Sequence, residues 1–222
     1  MKSLQSKVLF RGMSAEEIRL FLDRANPYYV RLYGGRSVRI EKKLSWMMGL
    51  VISGWVMVYS ADYDGNRTLL RVMESGETSG MVYSLFDYQN TLVEFVAVSD
   101  AEMIMFSPEV VFVQEPDFVV VQHKLLVNLI SGQRRMFEDL TAHLSCLSQR
   151  TVRDKVLRFL CACAERAKKY ELNLPLTREE TADYLAVDRA SLSRTLGELK
   201  QEGIIDFSRN HFRILKPEKL IF

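Results

Sequence analysis

Cysteine, histidine and proline are all scarce in this chain of 222 residues, with three, three and five copies, and each shortage excludes something. A metal centre or iron–sulfur cluster needs several thiolate or imidazole ligands at set spacing. Cys146, Cys161 and Cys163 with His123, His143 and His211 supply no such set. The three cysteines fall close together in a helical stretch, where they read as buried thiols of a protein in a reducing compartment. No proline lies between Pro116 and Pro175, which leaves that span free for long helices. No run of 18 apolar residues occurs, so no membrane-spanning helix is expected, and the opening MKSLQSKVLF lacks the apolar core of a signal peptide. The chain is therefore expected in the cytoplasm, away from membranes. There is no glycine-rich phosphate loop, no Ser/His/Asp arrangement and no paired histidine ligands; with no catalytic or metal-binding residue to name, an enzyme is not expected.

What is present is a 48% hydrophobic chain, enough to bury a substantial core in one large domain or two small ones. Charge is uneven along it. Residues 1 to 149 carry 15 Lys+Arg against 17 Asp+Glu, a balance of −2, and residues 150 to 222 carry 15 against 11, a balance of +4. The basic end suits a polyanionic partner.

Local patterns divide the chain into three. Ser14 opens SAEEIRLFLDRAN with Glu17 three residues on, a capping box before an apolar stripe of Ile18, Phe21 and Leu22; this predicts a short helix. From Tyr28 to about Pro108, short β-rich runs (YYVRLY, SVRI, MGLVIS, WVMVYSAD, TLLRVM, LVEFVAV, EMIMFS) are broken by Gly34-Gly35, Gly54, Asp64-Gly65 and Gly76. Such spacing predicts an antiparallel barrel or jelly roll, with Asp64-Gly65 the clearest hairpin. Beyond Pro116, Leu125, Leu129, Met136, Leu140, Leu144 and Leu147 recur at three, four and seven, predicting a helix of about 30 residues whose apolar seam pairs two copies of the chain, since a helix this long would overrun the barrel, or else packs on its own barrel. Ser148 reads as its break, and QRTVRDKVLRFLCACAERAKK as a second helix.

LTREETADYLAVDRASLSRTLGELKQEGII, Leu176 to Ile205, then reads as two helices joined by a corner. Thr177 with Glu180 caps the first, whose packing residues are Ala182, Tyr184 and Leu185. Asp188 caps the second, and Leu192, Leu196 and Leu199 share one face of it. Ala190, Ser193, Arg194 and Gly197 fall on the opposite face, with Arg189 in the first turn. That face is small and rich in donors, fit for the major groove, where arginine can bond guanine O6 and N7. GIIDFSRNHFRIL continues as two short β-runs about Ser208-Arg209-Asn210, a wing whose Arg209, His211 and Arg213 suit phosphate contacts.

These features together resemble the Crp/Fnr family of transcription regulators across nearly the whole chain, most specifically in TREETADYLAVDRASLSRTLGELKQEGII, with LSQRTVRDKVLRFL similar to the Fnr-type entry into the DNA-binding domain. The resemblance implies an α+β chain: an N-terminal antiparallel β-barrel of the jelly-roll, cyclic-nucleotide-binding-like kind (1–115), a long dimerisation helix (116–147) and a C-terminal winged helix-turn-helix (148–222). It implies a homodimer on a pseudo-palindromic DNA operator, with RNA polymerase as a further partner. It makes Arg189, Ser193 and Arg194 the base-reading side chains and Arg178 and Ser191 phosphate or flanking contacts, beside Arg209 and His211 in the wing. Where the family usually has Glu, this chain has Ala190, which points to a different operator and suits a thymine methyl.

The sensor half departs further. In the cyclic-AMP branch, a Glu holds the ribose and an Arg-Ser pair holds the phosphate. The corresponding places here are Met81 and Thr91 with Leu92, and Glu74 to Asp100 contains no basic residue. A phosphodiester buried without a cation is costly, so a cyclic nucleotide is not the expected effector. An N-terminal cysteine cluster is absent, and haem would need axial ligands that His123, His143 and His211, all outside the barrel, do not provide, so no cofactor is expected; haem held by other residues stays open. Met and aromatic residues instead crowd the barrel: Trp46, Met47, Met48, Trp55, Met57, Met73, Met81, Tyr83 and Phe86. They either fill its core or line an apolar pocket for an unknown small effector, drawn from Met73, Met81, Val82, Tyr83, Thr91 and Leu92 against Gln133 and Arg134 of the long helix. A barrel without any ligand, in a constitutive DNA-binding factor, is the alternative.

Overall fold

The computed structural model describes residues 2–34, 37–39, 47–61, 67–79, 92–112 and 115–220. The chain divides into two compact units, Met1–Phe137 and Glu138–Phe222.

In the first unit, helices α1 (Lys2–Gln5) and α2 (Ala15–Ala25) lead into eight strands among the described residues: β1 (Tyr28–Leu32), β2 (Ser37–Arg39), β3 (Met48–Ser53), β4 (Trp55–Ala61), β5 (Arg67–Glu74), β6 (Thr78–Ser79), β7 (Leu92–Ala97) and β8 (Ala101–Phe106). Helix α2 starts at the expected capping box: Glu17 N donates to Ser14 Oγ at 3.2 Å and Ser14 N to Glu17 Oε2 at 2.7 Å. Its end turns on Asn26, left-handed at φ 39°, a conformation asparagine tolerates. The strands form two antiparallel four-stranded sheets, ordered β1-β8-β3-β6 and β2-β7-β4-β5. Strands β4 and β5 pair from Trp55↔Glu74 to Ala61↔Arg67, so they flank the expected Asp64-Gly65 hairpin, whose tip lies outside the described residues. Strand β6 is too short to leave a sequence signal. At Gly54, φ is 81° and a Cβ would lie 2.8 Å from Ala101 Cα, so the β3–β4 turn admits only glycine.

Alternation on β3 and β8 sends side chains into two cores. Val51, Met103 and Met105 join Val56, Val58, Met73, Phe95 and Ala97 between the sheets. Met48, Leu50, Ile104 and Phe106 face the other way, onto Ile18 and Phe21 of α2. Strand β3 is thus buried on both faces, which explains its unbroken apolar run MGLVI rather than a strict alternation.

Helix α3 (Val119–Leu147) begins three residues later than expected, because residues 116–118 form a turn. Its apolar residues make two rows. Val121, Leu125 and Leu129 pack with Phe118 into the core that holds α2. Polar anchors fix this face: Asn128 Nδ2 donates to Leu9 O and Arg11 O, both at 2.9 Å, and Lys124 pairs with Glu17 at 2.6 Å. The second row is exposed: Val120 at 62%, Val127 at 49%, Ile130 at 65%, Phe137 at 71% and Leu144 at 66%. It repeats with heptad spacing. The seam expected from sequence is therefore corrected. Leu125 and Leu129 belong to the chain's own core, Met136, Leu140 and Leu147 are half-buried, and only Leu144 stands on the exposed row. Periodicity identifies apolar rows but not which one the sheets cover.

The second unit contains α4 (Val152–Ala167), β9 (Glu171–Asn173), α5 (Arg178–Leu185), α6 (Arg189–Gln201), β10 (Ile205–Ser208) and β11 (His211–Ile214), with a sheet ordered β10-β11-β9. Thr151 caps α4, accepting from Asp154 N at 3.0 Å. The core gathers Leu157, Phe159 and Leu160 of α4 with Leu185, Leu192, Leu196, Leu199, Ile205 and Phe212. Cys146 and Cys161 are buried and all three cysteines are free thiols, as expected. Burial pushes Cys146 to about 11 and Cys163 to about 12, which keeps both protonated and inert.

Candidate nucleic-acid interface

The corner between α5 and α6 is built by backbone satisfaction at each helix end. Thr177 N donates to Glu180 Oε2 at 2.6 Å and Glu180 N to Thr177 Oγ1 at 3.3 Å, closing the capping box of α5. Helix α5 stops at Ala186, left-handed at φ 48°. Lys155 Nζ of α4 donates to Leu185 O at 2.9 Å, taking up a terminal carbonyl of α5. Asp188 then starts α6, accepting from Ser191 N at 2.8 Å. Hydrogen bonds from Ser191 hold its carboxyl below the usual range, since the ionised form is the better acceptor.

Helix α6 is sided as the sequence requires. Leu192, Leu196 and Leu199 are fully buried, each worth about 1.5–3 kcal/mol of apolar transfer, and they fix which residues point outward. Arg189, Ala190, Ser193 and Arg194 are exposed on the other side, and Ser191 and Gly197 are half-buried. A Cβ at Gly197 would meet no protein atom within 4 Å. The far end of α6 is clamped by Arg153, whose guanidinium forks onto Glu202 at 2.7 and 2.6 Å, and by Lys216 Nζ, which donates to Glu202 O at 2.8 Å. Gly203 takes φ 66° and turns the chain into the wing.

The wing is the hairpin β10–β11, registered Ser208↔His211, with β9 added on the outside, a strand sequence reading missed for its shortness. Arg209 at its tip is exposed and left-handed at φ 51°. His211 Nε2 lies 2.9 Å from Glu171 Oε1 on β9. Arg178, expected to reach phosphate, points elsewhere. Its guanidinium lies 4.9 Å from the Phe207 ring centre and 4.7 Å from that of Phe212, and Nη2 donates to Arg209 O at 2.6 Å.

His143 is a second residue whose place sequence did not signal. It is buried, its ring stacks on Tyr184 at 3.8 Å and 13°, and its Nε2 lies 2.6 Å from Tyr184 O. A carbonyl only accepts, so the histidine carries its proton on Nε2. The contact joins the last turns of α3 to α5, and burial raises the Tyr184 phenol well above its ordinary value.

Of the proposed effector residues, Met73 is fully buried between the two sheets, Leu92 opens β7, and Met81, Val82, Tyr83 and Thr91 lie outside the described residues. Trp46 and Phe86 lie outside them too. On α3, Gln133 is half-buried and Arg134 exposed. Arg135, which sequence reading did not single out, pairs with Glu74 at 2.8 Å and Glu77 at 3.3 Å. Glu77 also accepts from Arg71 at 2.9 Å and from Glu74 N at 3.1 Å. Two buried charges are tolerable there because each has ionic and hydrogen-bonding partners.

Comparison with known proteins agrees with this geometry. Residues 154–221 match the Crp-like helix-turn-helix domain. Over 224 aligned residues the chain is 22% identical to the nitrogen fixation regulation protein FixK of Bradyrhizobium diazoefficiens, covering 98% of this chain and 90% of FixK. In fold it is similar to a CooA mutant from Carboxydothermus hydrogenoformans (TM-score 0.72, 18% identity, 94% of this chain and 89% of that one). It is also similar to CLP, the c-di-GMP responsive global regulator of Xanthomonas campestris (TM-score 0.70, 20% identity, 90% and 99%). A capped two-helix corner with an outward face of arginine and small residues and a wing beside it thus have one common explanation: the C-terminal part of the chain is a Crp-like helix-turn-helix domain, in a chain similar along its length to FixK, CooA and CLP.

Proposed function

We propose that the chain is a DNA-binding transcription regulator of the Crp/Fnr family that acts as a homodimer on a pseudo-palindromic DNA site, each protomer laying α6 in the major groove. Arg189, Ser193 and Arg194 read base edges, Ala190 meets a thymine methyl, and Ser191, Arg209 and His211 touch the flanking backbone. The observation that carries this reading is the outward face of α6, where two arginines and small side chains stand exposed over a fully buried leucine row. The three-part organisation read from sequence, with sensor 1–115, dimer helix 116–147 and DNA-binding part 148–222, is part of the proposal. Dimerisation uses the exposed heptad row of α3. RNA polymerase is the further partner, and the protein works in the cytoplasm.

Control comes from a small effector in the N-terminal unit, which biases the dimer between two arrangements of its recognition helices. The effector is not a cyclic nucleotide. Glu74 to Asp100 offers no cation, and Arg71 and Arg135 are engaged by Glu77 and Glu74.

The test is selection of bound duplexes from a randomised pool, followed by footprinting. Wild-type protein should enrich a two-fold symmetric site with half-sites about one helical turn apart. Arg194→Ala should weaken binding to it by about 1–3 kcal/mol and relax base preference at one position of each half-site. An unchanged footprint and affinity in that variant would remove Arg194 from the reading set.

A further inference from the structure

We propose that Arg178 is the positioning residue of the wing, acting on DNA through Arg209 rather than by a phosphate contact of its own. This rests on the reading of the second unit as a DNA-binding domain. Its guanidinium lies over an aromatic side chain from each of the two wing strands, Phe207 on β10 and Phe212 on β11, with ring centres 4.9 and 4.7 Å away. The two rings are themselves only 5.6 Å apart and tilted by 32°, so the three groups make a nearly equilateral triangle and the flat cation caps both rings from one side.

Hydrogen bonding points the same way. Nη2 donates to the carbonyl of Arg209 at 2.6 Å, and Nη1 is buried with no hydrogen-bond partner. A phosphate contact needs a guanidinium edge that solvent, and hence DNA, can reach. Burial also depresses the pKa of Arg178, the response of a cation withdrawn from water.

The carbonyl it holds belongs to the one wing residue in a strained conformation. Arg209 is left-handed at φ 51° without being glycine, a state that persists only when its surroundings over-determine it. Arg178 supplies one such restraint, and Leu174 N, which donates to Asn210 O at 2.9 Å, supplies another. The exposed Arg209 side chain is thereby aimed by a residue at the start of α5. Lysine cannot replace arginine in this role, because an ammonium has neither the plane to stack nor the fork to reach the carbonyl.

The experiment compares Arg178→Ala, Arg178→Lys, Arg209→Ala and the Arg178→Ala/Arg209→Ala pair in the full chain. Binding to a selected duplex is measured by anisotropy, and amide exchange is followed across residues 205–214. A clamp predicts about a tenfold loss of affinity for both Arg178 variants and a pair no weaker than the worse single variant to within about twofold. It also predicts at least tenfold faster exchange at the wing tip in both. The clamp is overturned if Arg178→Lys binds like wild type, if the two alanine effects multiply, or if wing exchange is unaltered. Wild-type protein that bound no duplex would overturn the functional reading, and wing exchange without DNA would still decide the clamp. The lysine variant keeps the comparison available should Arg178→Ala fail to fold.

Discussion

Gly197 shows how much one position can separate stability from binding. A glycine inside a helix costs about 1 kcal/mol against alanine, and here an added Cβ would meet no protein atom within 4 Å. Nothing in the protein requires the missing side chain. It stands on the same face as Ala190, Ser193 and Arg194, so the bare backbone is suited to close approach of the duplex. Gly197→Ala is expected to raise unfolding free energy by about 0.5–1 kcal/mol in urea titrations while weakening binding to a selected site. A variant that gained stability and bound DNA as well as before would take Gly197 off the interface. At this scale the outward face of α6 was legible in advance, because helical spacing alone puts Leu192, Leu196 and Leu199 opposite the arginines. Arg178 was not legible. Its partners Phe207 and Phe212 lie about 30 residues away in sequence, and only the folded wing brings them over it.

Among the elements, α3 carries the strongest prediction. Its exposed row pairs Val120 with Val127 and Ile130 with Phe137 and Leu144 at intervals of seven, while Leu125 and Leu129 lie in the core. Ile130→Glu should leave the protomer folded, since the side chain faces solvent, yet give a monomer by sedimentation equilibrium at micromolar concentration, with loss of binding to a two-fold site. Leu125→Ala should do the reverse, costing about 2–5 kcal/mol of stability and leaving the association unchanged per folded molecule. If Ile130→Glu remained a dimer, the heptad row would not be the interface. The helix itself and its approximate length follow from the absence of proline between Pro116 and Pro175. Which of its two apolar rows turns inward follows only from where α2 and the first sheet lie.

For the molecule as a whole, the chain divides into two units, each with its own core. The first unit, Met1–Phe137, is the one the effector proposal concerns. A ligand that binds only the folded state raises stability by about 2.7 kcal/mol when present at about 100 times its dissociation constant, an effect that thermal unfolding detects easily. Millimolar cyclic AMP or cyclic GMP should leave the melting temperature of the purified protein unchanged, whereas small apolar or aromatic compounds should include some that raise it. A rise with a cyclic nucleotide and none with apolar compounds would reverse the assignment.

The sequence by itself determined the class of each half. Strand runs broken by glycine, a proline-free helical span and a capped two-helix corner are local patterns, written in neighbouring residues whose backbone preferences do not wait for the rest of the chain. Tertiary structure alone decided which row of α3 is exposed, that Arg135 meets Glu74 and Glu77, that His143 stacks on Tyr184, and that Arg178 lies beneath the wing. Each of these is a contact between residues distant in sequence. Periodicity gives a side chain its direction relative to its own helix, but the partner in that direction is supplied by how the elements pack.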